Sequence, residues 1–128
     1  MTTSQEGGVK QDRIAMKAVV AMAEILELSE KESGLLFGLP AATLRQWVKC
    51  GPALMTPVQR RRIGIILTIY QLAGTAFPGG GGAKGWLTRP NAHPALANRR
   101  PLDVMLSNAP EGLELVLNLL HGIETFWS

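Results

Sequence analysis

The stretch from Ser29 to Cys50 constrains the fold more than any other part of the chain, because its spacing fits two short helices that cross at a glycine turn. Ser29 and Glu32 form a Ser-x-x-Glu capping box, which predicts the start of a helix. Gly34 supplies a small residue inside that helix, where a second helix can cross it. Gly38 supplies a residue that tolerates the left-handed turn conformation. The sequence therefore predicts a helix-turn-helix in this stretch.

Apolar residues recur at helical spacing in other segments too, and no stretch shows the alternation of a strand, so the predicted fold class is all-α. The pattern predicts a helix with Asp12 as its N-cap, a helix that begins at Pro40 with Leu44, Trp47 and Val48 facing inward, and a helix over 58–73 that Gly74 ends. It also predicts a short helix over 102–106 and a last one over 110–125. These elements fit a helix-turn-helix domain followed by a small helical module.

Composition along the chain predicts four segments. Residues 1–11 are polar and without periodicity, which predicts a flexible tail, and residues 12–76 form the helix-turn-helix domain. Four consecutive glycines predict a glycine-rich linker at 77–83, before a second domain at 84–128. The chain has no uninterrupted apolar run of the roughly 20 residues that a membrane span requires, so we expect a cytoplasmic protein. A single cysteine, Cys50, excludes an internal disulfide and a multi-thiolate zinc site, and we expect no metal and no cofactor.

Charge is distributed unevenly along the chain. The interval between Glu32 and Asp103 holds nine basic residues and no acidic residue, which predicts an anionic partner. With the helix-turn-helix register fixed, the outward face of the second helix and the start of the fourth helix give the predicted DNA-binding residues, namely Ala42, Arg45, Gln46, Lys49, Arg60 and Arg61. Arg45 and Gln46 are the expected base-reading pair, whereas Lys49 suits a phosphate. Two alternatives stay open: an ordinary pair of packed helices, and a merely solvated start of the fourth helix around Arg60–Arg62.

The last third of the chain resembles the C-terminal domain of the Xre/MbcA/ParS antitoxins. The motifs that carry the resemblance are Ala83-Lys84-Gly85-Trp86-Leu87-Thr88-Arg89-Pro90-Asn91, Ala95-Leu96, Arg100-Pro101-Leu102-Asp103-Val104-Met105-Leu106 and Glu111-Gly112-Leu113-Glu114-Leu115-Val116. The helix-turn-helix and the apolar helix that ends in Ile69-Tyr70-Gln71-Leu72 resemble the family's first domain. Two features depart from the family pattern: the tetraglycine, and Ala97-Asn98 in place of paired glycines before Arg-Pro.

The resemblance implies a type II antitoxin that is not an enzyme. Its partner would be a RES-domain toxin that consumes NAD⁺. The C-terminal domain would bind that toxin, with its last helix and tail obstructing the NAD⁺ site, and the helix-turn-helix would bind operator DNA and repress the operon. The predicted toxin-binding residues are Trp86, Asn91, Arg99, Arg100, His121, Glu124, Phe126, Trp127 and Ser128. Trp86 and Pro101 suit a core or loop-shaping role as well, and Phe126 and Trp127 suit either an interface or the chain's own core.

The sequence offers little support for an enzymatic function. His93 and His121 are the only histidines, and the glycine run lacks the Lys-Ser/Thr that a phosphate-binding loop requires. The alternative function is a stand-alone helix-turn-helix regulator whose C-terminal region dimerises or senses a ligand. A homodimer is expected in both cases, because helix-turn-helix proteins usually read two half-sites.

Overall fold

The computed structural model describes residues 3–51, 55–107 and 111–127, and the side chains of residues 10–51, 55–107 and 111–123. Within these ranges the chain forms seven α-helices and no strand, which confirms the all-α prediction. The helices are α1 (Thr3–Ile25), α2 (Glu30–Phe37), α3 (Ala41–Cys50), α4 (Pro57–Ala76), α5 (Gly82–Thr88), α6 (Pro101–Ser107) and α7 (Glu111–Trp127). The chain divides into two compact units, Met1–Gly64 and Ile65–Ser128.

The first unit is built on α1, α2 and α3, with α3 packing against both of the other helices. Its core is aliphatic, with Phe37 as the only fully buried aromatic side chain among the described residues of this unit. The buried apolar residues are Met16, Val19, Met22, Leu26, Leu36, Phe37, Leu39, Leu44, Met55 and Ile63. α1 has helical backbone from Thr3, where the composition predicts a tail. Asp12 therefore lies inside α1, and the prediction that it is an N-cap is wrong.

Local capping signals fix the starts of α2 and α4. The Ser29 hydroxyl accepts a hydrogen bond from the Glu32 N–H at 3.0 Å, and the Glu32 carboxylate accepts one from the Ser29 N–H at 2.9 Å, so the predicted capping box is confirmed. Thr56 and Gln59 make the same reciprocal pair at the start of α4, at 3.1 and 2.8 Å. Each pair satisfies two backbone donors that a helix start would otherwise leave without a partner.

The second unit contains most of α4 together with α5, α6 and α7. α6 packs against both α5 and α7. Its core is formed by Ile66, Ile69, Ala73, Ala83, Trp86, Leu87, Leu96, Leu102, Val104, Met105, Leu113, Val116 and Leu120. α4 continues to Ala76, so the prediction that Gly74 ends it is wrong. The Phe77 N–H still donates to the Ala73 carbonyl at 3.0 Å, because one glycine weakens a helix without breaking its hydrogen bonds.

The tetraglycine forms a tight turn rather than an extended connection. Gly80, Gly81 and Gly82 all have positive φ values, between 63° and 95°, which glycine adopts at low cost. Gly82 is also the first residue of α5, so the predicted linker at 77–83 includes the start of a helix. On either side of the turn, Phe77 stacks on Trp86 with ring centroids 5.4 Å apart and planes 7° from parallel. This stacking accounts for the short path of the chain between α4 and α5.

Candidate functional site

The turn between α2 and α3 has the geometry that the glycine spacing predicts. Gly38 lies in the left-handed region at φ 71°, and its N–H donates to the Gly34 carbonyl at 2.9 Å. A Cβ at position 34 would lie only 2.8 Å from the carbonyl oxygen of Leu39, so the chain after the turn passes directly over Gly34. α2, the turn at 38–40 and α3 are therefore compatible with a helix-turn-helix.

The inward face of α3 is narrower than the sequence predicts. Leu44 is buried and Trp47 is half-buried, but Val48 is 51% exposed, so its predicted inward position is wrong. Val48 lines an open apolar groove of about 420 Å³ together with Val19 and Val20 of α1.

The outward face of α3 brings together four residues of the predicted DNA-binding set. Ala42, Arg45, Gln46 and Lys49 are all exposed, and their spacing of three, one and three residues places them on one side of the helix. Glu30, at the start of α2, ion-pairs with Arg45 across the helix pair, with Nη1 and Oε2 2.9 Å apart. Sequence reasoning missed Glu30, because only the crossing of α2 and α3 brings these two positions together.

Arg60 lies in a partly buried ion pair, although its position in the sequence predicts a place on the DNA-binding surface. Its Nε and Nη2 donate to the two carboxylate oxygens of Asp12 at 2.9 and 3.1 Å, and the Met55 N–H donates to the same carboxylate at 2.9 Å. Burial alone would raise the pKa of the Asp12 carboxyl, but these hydrogen bonds outweigh it and the pKa lies below its ordinary value. Arg60 therefore joins the start of α4 to α1, through its ion pair with Asp12. Its side chain is still partly exposed.

Arg62 serves the fold of the first unit as well. Its Nε donates to the Leu36 carbonyl at 2.9 Å and its Nη2 to the Leu35 carbonyl at 2.6 Å. These carbonyls belong to the last turn of α2 and have no N–H partner within the helix. The positive guanidinium also complements the negative end of the helix dipole. Burial lowers the pKa of this guanidinium from its ordinary value. Arg61, between the two, is exposed.

In the second unit, the loop between α5 and α6 closes on itself. The Asn91 N–H donates to the Arg99 carbonyl at 3.1 Å, and the Asn98 N–H donates back to the Asn91 carbonyl at 2.9 Å. The Asn91 side-chain oxygen accepts from the His93 N–H at 2.9 Å, which fixes the first turn of the loop. Ala97 and Asn98 both have positive φ values, 51° and 64°. Asn91 is therefore a loop-shaping residue and only partly exposed.

Two neighbouring arginines follow this loop. Arg99 is exposed, and its Nε donates to the Leu96 carbonyl at 3.0 Å. Arg100 makes a two-point contact with Asp103 in the first turn of α6, with its Nε 2.8 Å from Oδ2. The hydrogen bonds from Arg100 lower the pKa of the Asp103 carboxyl below its ordinary value, because they stabilise the charged form. Arg100 thus holds the start of α6, while Arg99 leaves its charged end toward solvent.

Comparison with known families identifies most of the second unit. Residues 73–125 match the family model of the antitoxin Xre/MbcA/ParS C-terminal toxin-binding domain. These residues form a toxin-binding domain of that family. A protein toxin is therefore the partner that the domain implies. No curated protein matches the sequence of the chain. The matched segment begins in α4, upstream of residue 84, the predicted start of this domain.

Within the toxin-binding domain, the predicted contact residues fall into different environments. Trp86 is 7% exposed and stacks on Phe77, which makes it a core residue of the domain. His121 is exposed on α7. The backbone of α7 extends through positions 124, 126 and 127, but the side chains of Glu124, Phe126 and Trp127, and all of Ser128, lie outside the described residues. Every helix in the described part of the chain is too short or too polar to span a bilayer.

Proposed function

We propose that this chain is the antitoxin of a type II toxin–antitoxin system, with a RES-domain toxin that consumes NAD⁺ as its partner. The match of residues 73–125 to the toxin-binding domain carries the proposal. Binding and occlusion require no catalytic group, so the chain acts as a non-enzymatic inhibitor. The motifs that resemble the family point to a RES-domain partner.

The C-terminal end of α7 is the part of the domain that we assign to the NAD⁺ site of the toxin. α7 continues to Trp127, two positions beyond the end of the matched segment at 125. Two aromatic residues, Phe126 and Trp127, stand at this end, and aromatic anchors dominate the energetics of many interfaces. Exposed Arg99 and His121 add polar contacts, with Glu124 and Ser128 completing the expected set.

Inhibition of NAD⁺ consumption tests this assignment. The gene next to this chain's is first checked for a RES-domain product, whose absence would favour a stand-alone regulator. That purified RES-domain protein is mixed with increasing amounts of the full chain, and NAD⁺ is followed over time. We expect NAD⁺ loss to stop near stoichiometric amounts, and a Phe126→Ala/Trp127→Ala variant to need at least about tenfold more protein, since each lost anchor costs roughly 1–2 kcal/mol or more. An Ile14→Ala/Val58→Ala variant, which trims two exposed apolar residues elsewhere, should inhibit like the wild type. Undiminished NAD⁺ loss with excess wild-type chain would contradict the proposal.

We further propose that the first unit represses the operon by placing α3 in the major groove of operator DNA. Arg45 and Gln46 are exposed at adjacent outward positions, and these residue types hydrogen-bond base edges. Lys49 at the end of α3 and exposed Arg61 at the start of α4 suit phosphate contacts. On DNA, Arg45 would exchange its contact with Glu30 for a base or a phosphate. We expect a homodimer, because two half-sites would then be read together.

A mobility-shift assay on the chain's own promoter tests DNA binding. Arg45→Ala combined with Gln46→Ala should weaken binding by at least about tenfold, since one good base contact is worth roughly 1–3 kcal/mol. A matched control, Gln11→Ala with Arg13→Ala, removes the same residue types from the exposed surface of α1 and should bind like the wild type. Both variants should keep wild-type helix content. Equal promoter affinity of all three proteins would refute the assignment, and promoter binding without toxin inhibition would favour a stand-alone regulator.

A further inference from the structure

We propose that α7 and the loop before α6 form a groove that receives an uncharged, apolar segment of the toxin, and that Gly122 marks the point of closest approach. This inference rests on the proposed function. It concerns residues of the toxin-binding domain that neither the family motifs nor the charge pattern singles out.

α7 carries two apolar stripes rather than one. Leu113, Val116 and Leu120 are buried and pack into the domain. Three further apolar residues, Leu115, Leu119 and Ile123, follow each other at intervals of four and are only half-buried. A helix that is apolar on two sides is usually covered on two sides, and the domain's own core uses only the first of these stripes.

The second stripe forms one wall of a groove of about 450 Å³. The opposite wall comes from the loop, through His93 and Ala95. Among the described residues, no charged side chain lines the groove, and apart from backbone its polar groups are those of His93 and Asn118. The His93 Nδ1 accepts a hydrogen bond from the Ala95 N–H at 3.1 Å, which holds the ring against the loop. A partner surface that fits here is therefore apolar and uncharged, since a charge would lose its hydration without gaining an ion pair.

Gly122 also lines this groove, at an exposed position of α7. A Cβ at this position would meet no described atom within 4 Å. Gly112, in the first turn of the same helix, is the opposite case, because a Cβ there would collide with the Val104 carbonyl oxygen. A glycine inside a helix weakens it relative to alanine. A partner segment seated in the groove would approach the α7 backbone closely at Gly122, because no side chain stands between them.

Two observations identify the toxin as the occupant rather than a second copy of this chain. Every residue that lines the groove falls inside the segment 73–125 that matches the toxin-binding domain. The groove is also continuous with the proposed inhibitory end of α7, because position 126 follows position 122 by about one helical turn. A toxin that contacts that end of α7 lies beside the groove.

A glycine-to-leucine pair tests the inference. Gly122→Leu fills the groove from within, whereas Gly64→Leu makes the same change at an exposed helical glycine of α4 that also has open space around it. Affinity of each purified full chain for the RES-domain protein is measured by isothermal titration calorimetry, together with its melting temperature. We expect neither variant to melt below the wild type, since leucine favours a helix. We expect Gly122→Leu to bind the toxin at least about tenfold more weakly and Gly64→Leu to stay within about twofold of the wild type.

The measured toxin affinities and oligomeric states distinguish this inference from its alternatives. Wild-type affinity in Gly122→Leu would overturn the inference while leaving the proposed function intact. A changed oligomeric state of Gly122→Leu with unchanged toxin affinity would assign the groove to a second copy of this chain and also overturn it. Failure of the wild type to bind the RES-domain protein would overturn the proposed function, and the inference with it. A smaller loss of affinity in Gly122→Ala than in Gly122→Leu would support a steric contact.

Discussion

At the end of the loop before α6, two residues with side chains occupy backbone conformations that favour glycine. Ala97 and Asn98 have φ values of 51° and 64°. Asparagine tolerates the left-handed region, but alanine gains nothing there to offset the crowding of its Cβ. The family pattern that the chain resembles has paired glycines at this point. The hydrogen bonds between Asn91 and residues 98 and 99 close the loop through a left-handed turn at residues 97 and 98. Glycine adopts that conformation at low cost, which is a physical reason for glycines at this point.

Replacement of Ala97 by glycine should therefore stabilise the protein. We expect Ala97→Gly to raise the free energy of unfolding by about 0.5–1 kcal/mol, as the relief of left-handed strain exceeds the added entropy of the unfolded chain. Ala92→Gly, at an exposed loop position without a positive φ, should lower it by a few tenths to about 1 kcal/mol. Urea unfolding followed by circular dichroism measures both. A loss of stability in Ala97→Gly equal to that in Ala92→Gly would contradict the conformational argument.

The arginines show what the sequence can predict about single residues. The long interval without acidic residues predicts a basic surface on α3, where Arg45 and Lys49 are exposed and Arg45 ion-pairs with Glu30 of α2. The charge pattern does not show that Arg60 and Arg62 make contacts within the fold instead of contributing to that surface. Their partners, Asp12 and the carbonyls of the last turn of α2, are distant in sequence and meet them only after the helices pack. Charge along a chain thus predicts a field, whereas the role of one cation depends on tertiary contacts.

Among the helices of the first unit, the crossing of α2 and α3 depends on a single position. The Gly38 and Leu39 N–H groups both donate to the Gly34 carbonyl, at 2.9 and 3.1 Å, and the chain then returns over Gly34 itself. A methyl group at this position would meet the Leu39 carbonyl oxygen, which is backbone and has little room to move. The position of α3, and with it the outward face of Arg45 and Gln46, therefore depends on the absence of a side chain at position 34.

Gly34→Ala should be destabilising even though alanine favours a helix. We expect the free energy of unfolding to fall by about 1–3 kcal/mol, because overpacking against backbone outweighs the gain in helix propensity of about 1 kcal/mol. Gly64→Ala, in the open surroundings of α4, should instead raise it by up to about 1 kcal/mol. Chemical unfolding of the two variants beside the wild type measures the difference. If Gly34→Ala gains stability like Gly64→Ala, the proposed close crossing does not exist.

Helix ends are predictable where a local signal sets them and not elsewhere. The capping boxes at Ser29 and Thr56 and the left-handed Gly38 are short-range features, and the structure has them as helix ends. α4 passes Gly74, and α5 begins at Gly82 within the glycine run. Neither position carries such a local signal, and across the turn Phe77 stacks on Trp86. Propensity alone cannot predict such stacking.

At the scale of the whole molecule, the division of the chain falls inside a helix. The two units meet in sequence between Gly64 and Ile65 of α4, so Ile63 belongs to the core of the first unit and Ile66 and Ile69 to that of the second. The sequence predicts a division at the glycine run instead, because composition changes there. Because α4 is one continuous helix, its sequence carries no helix-end signal at this division. The toxin-binding domain itself is recognisable from sequence, because the motifs around Trp86 and Asp103 are short, ordered signals inside the segment that matches the family.

Formation of a stable complex with a RES-domain toxin tests the central claim most directly. The full chain is co-expressed with a tagged RES-domain protein from the neighbouring gene that the proposal predicts, purified through the tag and passed over a sizing column with light scattering. We predict that the two proteins elute together, and that the Arg45→Ala/Gln46→Ala variant co-elutes equally well because its changes lie on α3 of the first unit. Recovery of the RES-domain protein without this chain, from cells in which both are folded and expressed, would contradict the account.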